Sequence, residues 1–367
     1  MPGLFDSYTL KGVTLRNRIV AAPMCQYMAT DGVANDWHKV HYASLGRGGA
    51  GLVILEATAV SPEGRISWGD LGLWNEEQAE VLKGIAASIK AAGAVPGIQI
   101  GHAGRKASSN RPWEGDDHIP LGEPNAWETI APSAVAFGKN LPRVPREMTV
   151  ADIERVQADT VRAVERARDA GFEWLQLHFA HGYLAQNFFS PFSNTRTDAY
   201  GGSAENRARY LIETFRAVRK AWPEDRPLTV RLSVIEYAGD DEAMQTEAIA
   251  LLKRMKDEGL DFVDVSVGFN TWEAQIPWGK NFLVPVAERI LKSTELPGST
   301  AWFLTRDAVE ADALIREGKL DLVSYARPFL ENPHFPYRMA KDLKIEDAAW
   351  KTLPPPYAHW VSRYRSE

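Results

Sequence analysis

Two imidazoles and a phenol crowd one short stretch, His178-Phe179-Ala180-His181-Gly182-Tyr183. Imidazoles can donate hydrogen bonds to an oxygen that gains charge, or ligate a metal; a phenol can hand over a proton at neutral pH. Isolated polar residues also interrupt apolar runs, as Gln99 does in Gly97-Ile98-Gln99-Ile100 and Arg231 in Leu228-Thr229-Val230-Arg231-Leu232. A guanidinium among strand residues is costly unless it meets an anion. Arg327, after another apolar run, could cap a helix, hold a carboxylate or neutralise a bound anion. Two arginines near a divalent cation would oppose it, and Gln99, Arg231 and Arg327 are not acids. The set therefore favours an anionic ligand, such as a phosphate or a reduced ring system, over a metal. A metal-dependent barrel hydrolase or lyase built on His178 and His181 stays open as the alternative. Cys25, the one cysteine, reads as readily as a small buried hydrophobe. Trp302 is one of twelve tryptophans, most of which must be structural.

These groups need a scaffold that brings distant segments to one place. Apolar runs rich in β-branched residues predict strands at about Ile19–Met24, Leu52–Ala57, Gly97–Gly101, Trp174–Phe179 and Leu228–Leu232. Three more follow at about Phe262–Val267, Ser299–Trp302 and Leu322–Tyr325. Continuous apolar runs suit strands covered on both faces, as in a parallel sheet. Between them, Glu76–Ala92, Ala151–Ala170, Ala204–Ala221, Asp241–Glu258, Val284–Lys292 and Asp307–Glu317 carry apolar residues at helical spacing. Gly171, Gly259 and Gly318 stand just past three of these helices, and Thr149 with Asp152 resembles a capping box. Repeated β-then-α units in one chain predict an α/β fold, a closed (β/α)8 TIM barrel in a single domain over residues 1–367. A doubly wound sheet would carry a glycine-rich turn after its first strand. Here that position reads Ala22-Pro23-Met24-Cys25-Gln26, without glycine. The long excursion after strand three, about residues 102–145, suits a lid or wall over the mouth. Active sites of such barrels form at the C-terminal ends of the strands, toward which Cys25, Gln99, His178, His181, Tyr183, Arg231, Trp302 and Arg327 fall.

Composition narrows the partners. Lys+Arg 42 against Asp+Glu 48 gives a net charge of −6, and no basic run occurs, which argues against nucleic acid and against an anionic membrane. No apolar stretch approaches the length of a spanning helix. The first twenty residues carry Asp6, Lys11, Arg16 and Arg18 without an apolar core, so no secretory leader is expected. A lone cysteine fits a reducing compartment, so a cytoplasmic location is expected.

The motifs also resemble a known family. Ala22-Pro23-Met24-Cys25-Gln26-Tyr27, Gln99 with His102-Ala103-Gly104-Arg105, and His178-x-x-His181-x-Tyr183 are similar to those of the Old Yellow Enzyme family. So are Ser193-Asn194-x-Arg196-x-Asp198-x-Tyr200-Gly201-Gly202-Ser203 and Arg327-Pro328-Phe329 with Asn332-Pro333, and Cys25 with Tyr27 marks the thermophilic-like branch. The similarity extends from Leu4 to Tyr364.

The resemblance implies a TIM barrel holding non-covalent FMN, with NADPH or NADH as hydride donor. The activity implied is that of an ene-reductase with ping-pong transfer: hydride passes to the flavin, then to the β-carbon of an α,β-unsaturated carbonyl, with nitro compounds as a further class. His178 and His181 would hold the carbonyl oxygen and Tyr183 would protonate the α-carbon. Arg231 would face the flavin N1–C2 edge and Gln99 its pyrimidine edge, with backbone at Pro23, Met24, Cys25 and Ala57 completing the polar contacts. Tyr27 and Trp302 would line the substrate side. A homodimer or higher even assembly is implied too, with the C-terminal arm, about residues 352–367, lending Trp360 to a neighbouring site.

The phosphate end departs from the family pattern. Glycines are expected after strand seven and before the strand-eight arginine, where this chain has Trp302-Phe303-Leu304-Thr305 and Tyr325-Ala326-Arg327. Phe303 is expected to weaken FMN retention, while Ala326 keeps its backbone donor and Arg327 neutralises the phosphate; as the third alternative, Phe303 and Ala326 together would leave a flavin-free, non-catalytic scaffold. Pro354-Pro355-Pro356 is expected to keep the start of the arm from being helical.

Overall fold

Parallel strands hydrogen-bond in chain order around a closed barrel: Ile19–Ala21, Leu52–Ala59, Val95–Gly101, Trp174–Phe179, Leu228–Ser233, Phe262–Ser266, Gly298–Thr300 and Leu322–Tyr325. The last pairs with the first, Ser324 opposite Val20, and so closes the ring. The computed structural model describes residues 2–364.

Side chains alternate along each strand, and the inward set changes character with height. At the bottom, Val20, Leu52, Trp174, Phe262 and Leu322 form an apolar layer, onto which an N-terminal hairpin (Tyr8–Leu10 with Val13–Leu15) packs Tyr8 and Leu15. Two residues further along three of these strands stand Gln176, Asp264 and Ser324, and two further again His178 and Ser266. The barrel therefore has a greasy floor, a polar belt and a reactive rim.

The helices follow from ordinary local rules. Ala204–Ala221 and Val150–Asp169 bury one face, and Thr149 caps the latter in a reciprocal box with Asp152. Gly171, Gly259 and Gly318 take φ of +88°, +97° and +68°, the left-handed caps foreseen for them. An additional helix, Asp36–Arg47, follows the first strand; its box pairs Asn35 with His38, a residue type outside the usual Glu/Gln signature.

Two expectations need correction. The seventh strand is Gly298–Thr300 and stops before Trp302, which turns to φ +60°. The arm begins helically after all, at Pro355–Val361. Pro355 and Pro356 sit in its first turn, where backbone N–H groups have no intrahelical partner to lose. Residues 365–367 of the predicted arm lie outside the described residues.

Candidate active site

A cavity of about 610 Å³ opens at the C-terminal end of the barrel. Pro23, Met24 and Cys25 line one side, Ala57 and Gln99 the next, and Arg231 part of the base. His178, His181 and Tyr183 form a wall; Trp302, Phe303, Ala326 and Arg327 close the far end. The fold thus gathers the predicted residues from seven strands. Tyr27 stands at the edge with its ring against Trp113, centroids 5.8 Å apart. Trp360 is not brought there: it lies on the C-terminal helix, 71% exposed.

The wall is built by a strained turn. His181 and Gly182 both adopt left-handed backbone, φ +63° and +70°. A Cβ on Gly182 would meet the Phe269 carbonyl oxygen at 2.2 Å, so glycine is required. Lys106, from the excursion after strand three, donates to the carbonyls of His181 (3.0 Å) and Phe269 and braces this turn. The rings then stand edge to face, His178 at 4.9 Å from both His181 and Tyr183.

Hydrogen bonds assign the tautomers. His178 Nδ1 accepts the Ala180 N–H at 3.3 Å, which leaves Nε2–H as its donor. His181 Nε2 lies 2.7 Å from Ser266 Oγ, and the same oxygen accepts the Trp302 indole N–H at 3.1 Å. Indole can only donate, which leaves the Ser266 hydroxyl hydrogen available to His181 Nε2; in that arrangement the proton of His181 sits on Nδ1. Burial, then the charge of Arg231, holds both imidazoles well below their ordinary pKa, so both are neutral. Burial pushes the Tyr183 phenol well above 10, and it keeps its proton. The Cys25 thiol is likewise raised, by burial first and then by Asp70 and Glu56, so it is a thiol and not a thiolate nucleophile.

Beneath the cavity runs a belt of polar residues that sequence inspection passed over. Gln99 Nε2 donates to Gln176 Oε1 at 2.7 Å. Ser299 donates to Asp264 at 3.0 Å, and Ser324 Oγ is 3.3 Å from Ser299 Oγ. Their signal was present: polar residues two apart inside otherwise apolar strands, as in Trp174-Leu-Gln-Leu-His178 and Phe262-Val-Asp-Val-Ser266.

At the far end, Trp302 and Phe303 hold φ of +60° and +54°, the conformation for which glycine was expected. Ala326 has φ −109°, a backbone conformation that does not require glycine. Among the described residues no group of three His, Cys, Asp or Glu could hold a metal ion.

The donor set suits a flavin. Arg231 is buried beside the cavity; its Nε is ion-paired with Asp264 at 3.2 Å without a hydrogen bond, and no hydrogen bond engages its terminal nitrogens among the described residues. A buried guanidinium with unused donors fits the electron-rich N1–C2 edge of an isoalloxazine. With Gln99 it would hold the ring, and Arg327 the phosphate. Fold and site together define a barrel oxidoreductase that holds its redox group in the mouth.

Comparison with known proteins gives the same result. The NADH:flavin oxidoreductase / NADH oxidase family model matches residues 3–346, and the chain belongs to that family, which includes the Old Yellow Enzymes. It is 42% identical over 342 residues to an NADPH dehydrogenase of Geobacillus sp. (strain WCH70), covering 93% of this chain and 94% of that one. Morphinone reductase in complex with tetrahydroNAD superposes with a TM-score of 0.77 at 27% identity, over 93% of this chain and 91% of the other. A 2-naphthoyl-CoA reductase complex gives 0.82 at 26% identity over 92% of this chain, which spans about half (52%) of that protein. The protein is an FMN-dependent NAD(P)H oxidoreductase.

Proposed function

We propose that the protein is an ene-reductase, a single barrel domain that uses NADPH to reduce α,β-unsaturated carbonyl compounds, with nitro compounds as a second class. Bound FMN supplies the relay that takes hydride from the nicotinamide and delivers it to the alkene β-carbon. His178 Nε2–H and His181 Nδ1–H donate to the substrate carbonyl oxygen and stabilise the charge that grows there. Tyr183, protonated at neutral pH, gives its proton to the α-carbon. Trp302, fixed by Ser266, limits the bulk of the substrate. Tyr27 would line the entrance, and Pro23, Met24, Cys25 and Ala57, which line the cavity, would hold the ring.

The observation that carries this reading is the convergence of two neutral imidazoles and a protonated phenol in one cavity with Arg231. NADPH as donor is supported by the names of the curated relatives. A homodimer or higher even assembly that works in the cytoplasm completes the proposal. The exposed Trp360 and Tyr364 on the arm, 71% and 78% accessible, suit contact with another subunit.

Stopped-flow measurement of the two half-reactions tests the assignment. Tyr183→Phe is expected to slow oxidation of the reduced enzyme by an enone by about 100-fold and to leave reduction by NADPH within about twofold. Equal losses in both would make Tyr183 structural and remove the proton-donor role.

A further inference from the structure

The far end of the cavity is more basic than its family motif requires. Besides Arg327, it is lined by Arg306 and Lys280, neither of which belongs to the motifs that carry the resemblance. All three line the same cavity as Phe303. Arg327 stacks its guanidinium on the Phe303 ring, 5.1 Å from the centroid. Asn281, next to Lys280, clamps the loop: its N–H donates to the Phe303 carbonyl (2.9 Å) and its Oδ1 accepts the Thr305 N–H (2.8 Å). Arg306 follows Thr305 directly.

The three cations differ in their partners. Among the described residues no carboxylate lies within 4.0 Å of Arg327. Lys280 pairs with Glu310 at 2.8 Å and Arg306 with Glu331 at 2.6 Å. Both pairs are widely exposed, the kind of surface ion pair that adds little stability and opens readily. Glu331 sits one helical turn beyond Arg327 in Arg327–Glu331, which keeps Arg306 on the same side of the cavity. Meanwhile the Thr305 N–H, in the segment where a glycine-rich loop would offer backbone donors, is already engaged by Asn281.

We infer that this chain holds the phosphate of its FMN chiefly with side-chain charge, through Arg327, Arg306 and Lys280, the latter two exchanging Glu331 and Glu310 for the phosphate. A phosphate monoester carries close to two negative charges at neutral pH, and charge-assisted bonds to guanidinium and ammonium are the strong ones. Electrostatics thus replaces the glycine cradle that Trp302 and Phe303 displace. The inference rests on FMN as the cofactor and is independent of the alkene substrate.

Titration of the full-length apoprotein with FMN and with riboflavin, followed by flavin fluorescence, tests it. The double variant Lys280→Gln/Arg306→Gln is expected to bind FMN at least about tenfold more weakly while riboflavin affinity stays within about twofold. The FMN dissociation constant of the unaltered protein is expected to rise more steeply with salt than that of the double variant. Glu310→Gln/Glu331→Gln, which frees the cations, is expected to tighten FMN and leave riboflavin unchanged. Unchanged FMN affinity in the first variant, or parallel loss of FMN and riboflavin, overturns the inference. So does a rise in KM for NADPH alone, which would assign the cations to the phosphate of the nicotinamide nucleotide.

Discussion

Arg231 and Asp264 face each other in register on adjacent barrel strands, Nε and Oδ2 3.2 Å apart, and both are buried. The charges touch, yet the Arg231 Nε–H is not aimed well enough at the carboxylate to count as a hydrogen bond. Asp264 is held from its other side by Ser299. Burial raises the Asp264 carboxyl, while Arg231 and Ser299 pull it back down. Arg231 therefore presents to the cavity a charge partly cancelled from behind, and its pull on an anionic flavin held as proposed would be set by two residues.

Asp264→Asn keeps the shape and deletes the cancelling charge. The site becomes more positive, which favours the anionic reduced ring, so the midpoint potential of the bound flavin should rise. A change of about 1.4 kcal/mol corresponds to about 30 mV for a two-electron couple, measurable by dye equilibration. A potential that stays put or falls would mean that the pair acts as a neutral structural unit.

Under the proposed function Ser266 is a positioning residue, since it touches His181 and Trp302 and would act on substrate only through them. Ser266→Ala removes the hydroxyl that fixes His181 with its proton on Nδ1. A phenol ligand should then bind roughly fivefold more weakly, equivalent to about 1 kcal/mol for one neutral hydrogen bond. The nitrogen chemical shifts of His181 should move from a pyridine-like Nε2 toward an averaged tautomer, and Ser266→Thr should restore both. Shifts that remain unmoved in the alanine variant would contradict the bridge.

How far the sequence discloses this arrangement depends on the segment. The strands Trp174–Phe179 and Leu322–Tyr325 and the helix Ala204–Ala221 are legible to the residue, because apolar periodicity and flanking turn residues agree there. Ile19–Ala21 is overread by three residues, since Ala22-Pro23-Met24 continues the apolar run after pairing stops. Ser299–Trp302 fails for a different reason: tertiary contacts hold Trp302 in left-handed backbone that no aromatic residue favours by itself. The wall of His178, His181 and Tyr183 is legible because its members are close in sequence. Asp264, Ser266 and Gln176 show their two-residue spacing within each strand, but which of them pair comes from register across strands, which a single strand does not carry.

Behind Cys25 lies a buried acid whose titration should be visible in stability. Glu56, on the second barrel strand, accepts the Gln26 N–H at 2.8 Å and the Tyr42 hydroxyl at 2.8 Å. Burial nevertheless lifts its carboxyl from 4.5 to about 8, with the bonds from Gln26 and Tyr42 pulling the other way. Between those two values the unfolded chain has released this proton and the folded chain keeps it. The unfolded state then binds fewer protons, so stability falls as pH rises across that window, by up to about 1.4 kcal/mol per pH unit for this one group. Glu56→Gln keeps an acceptor for Gln26 and cannot ionise. Chemical denaturation of both proteins from pH 5 to about pH 8 should show the unaltered protein losing stability relative to the variant as pH rises. Parallel curves would show that Glu56 is ionised in the folded state throughout, and that the loop Pro23–Tyr27 is anchored by a carboxylate and not by a neutral acid.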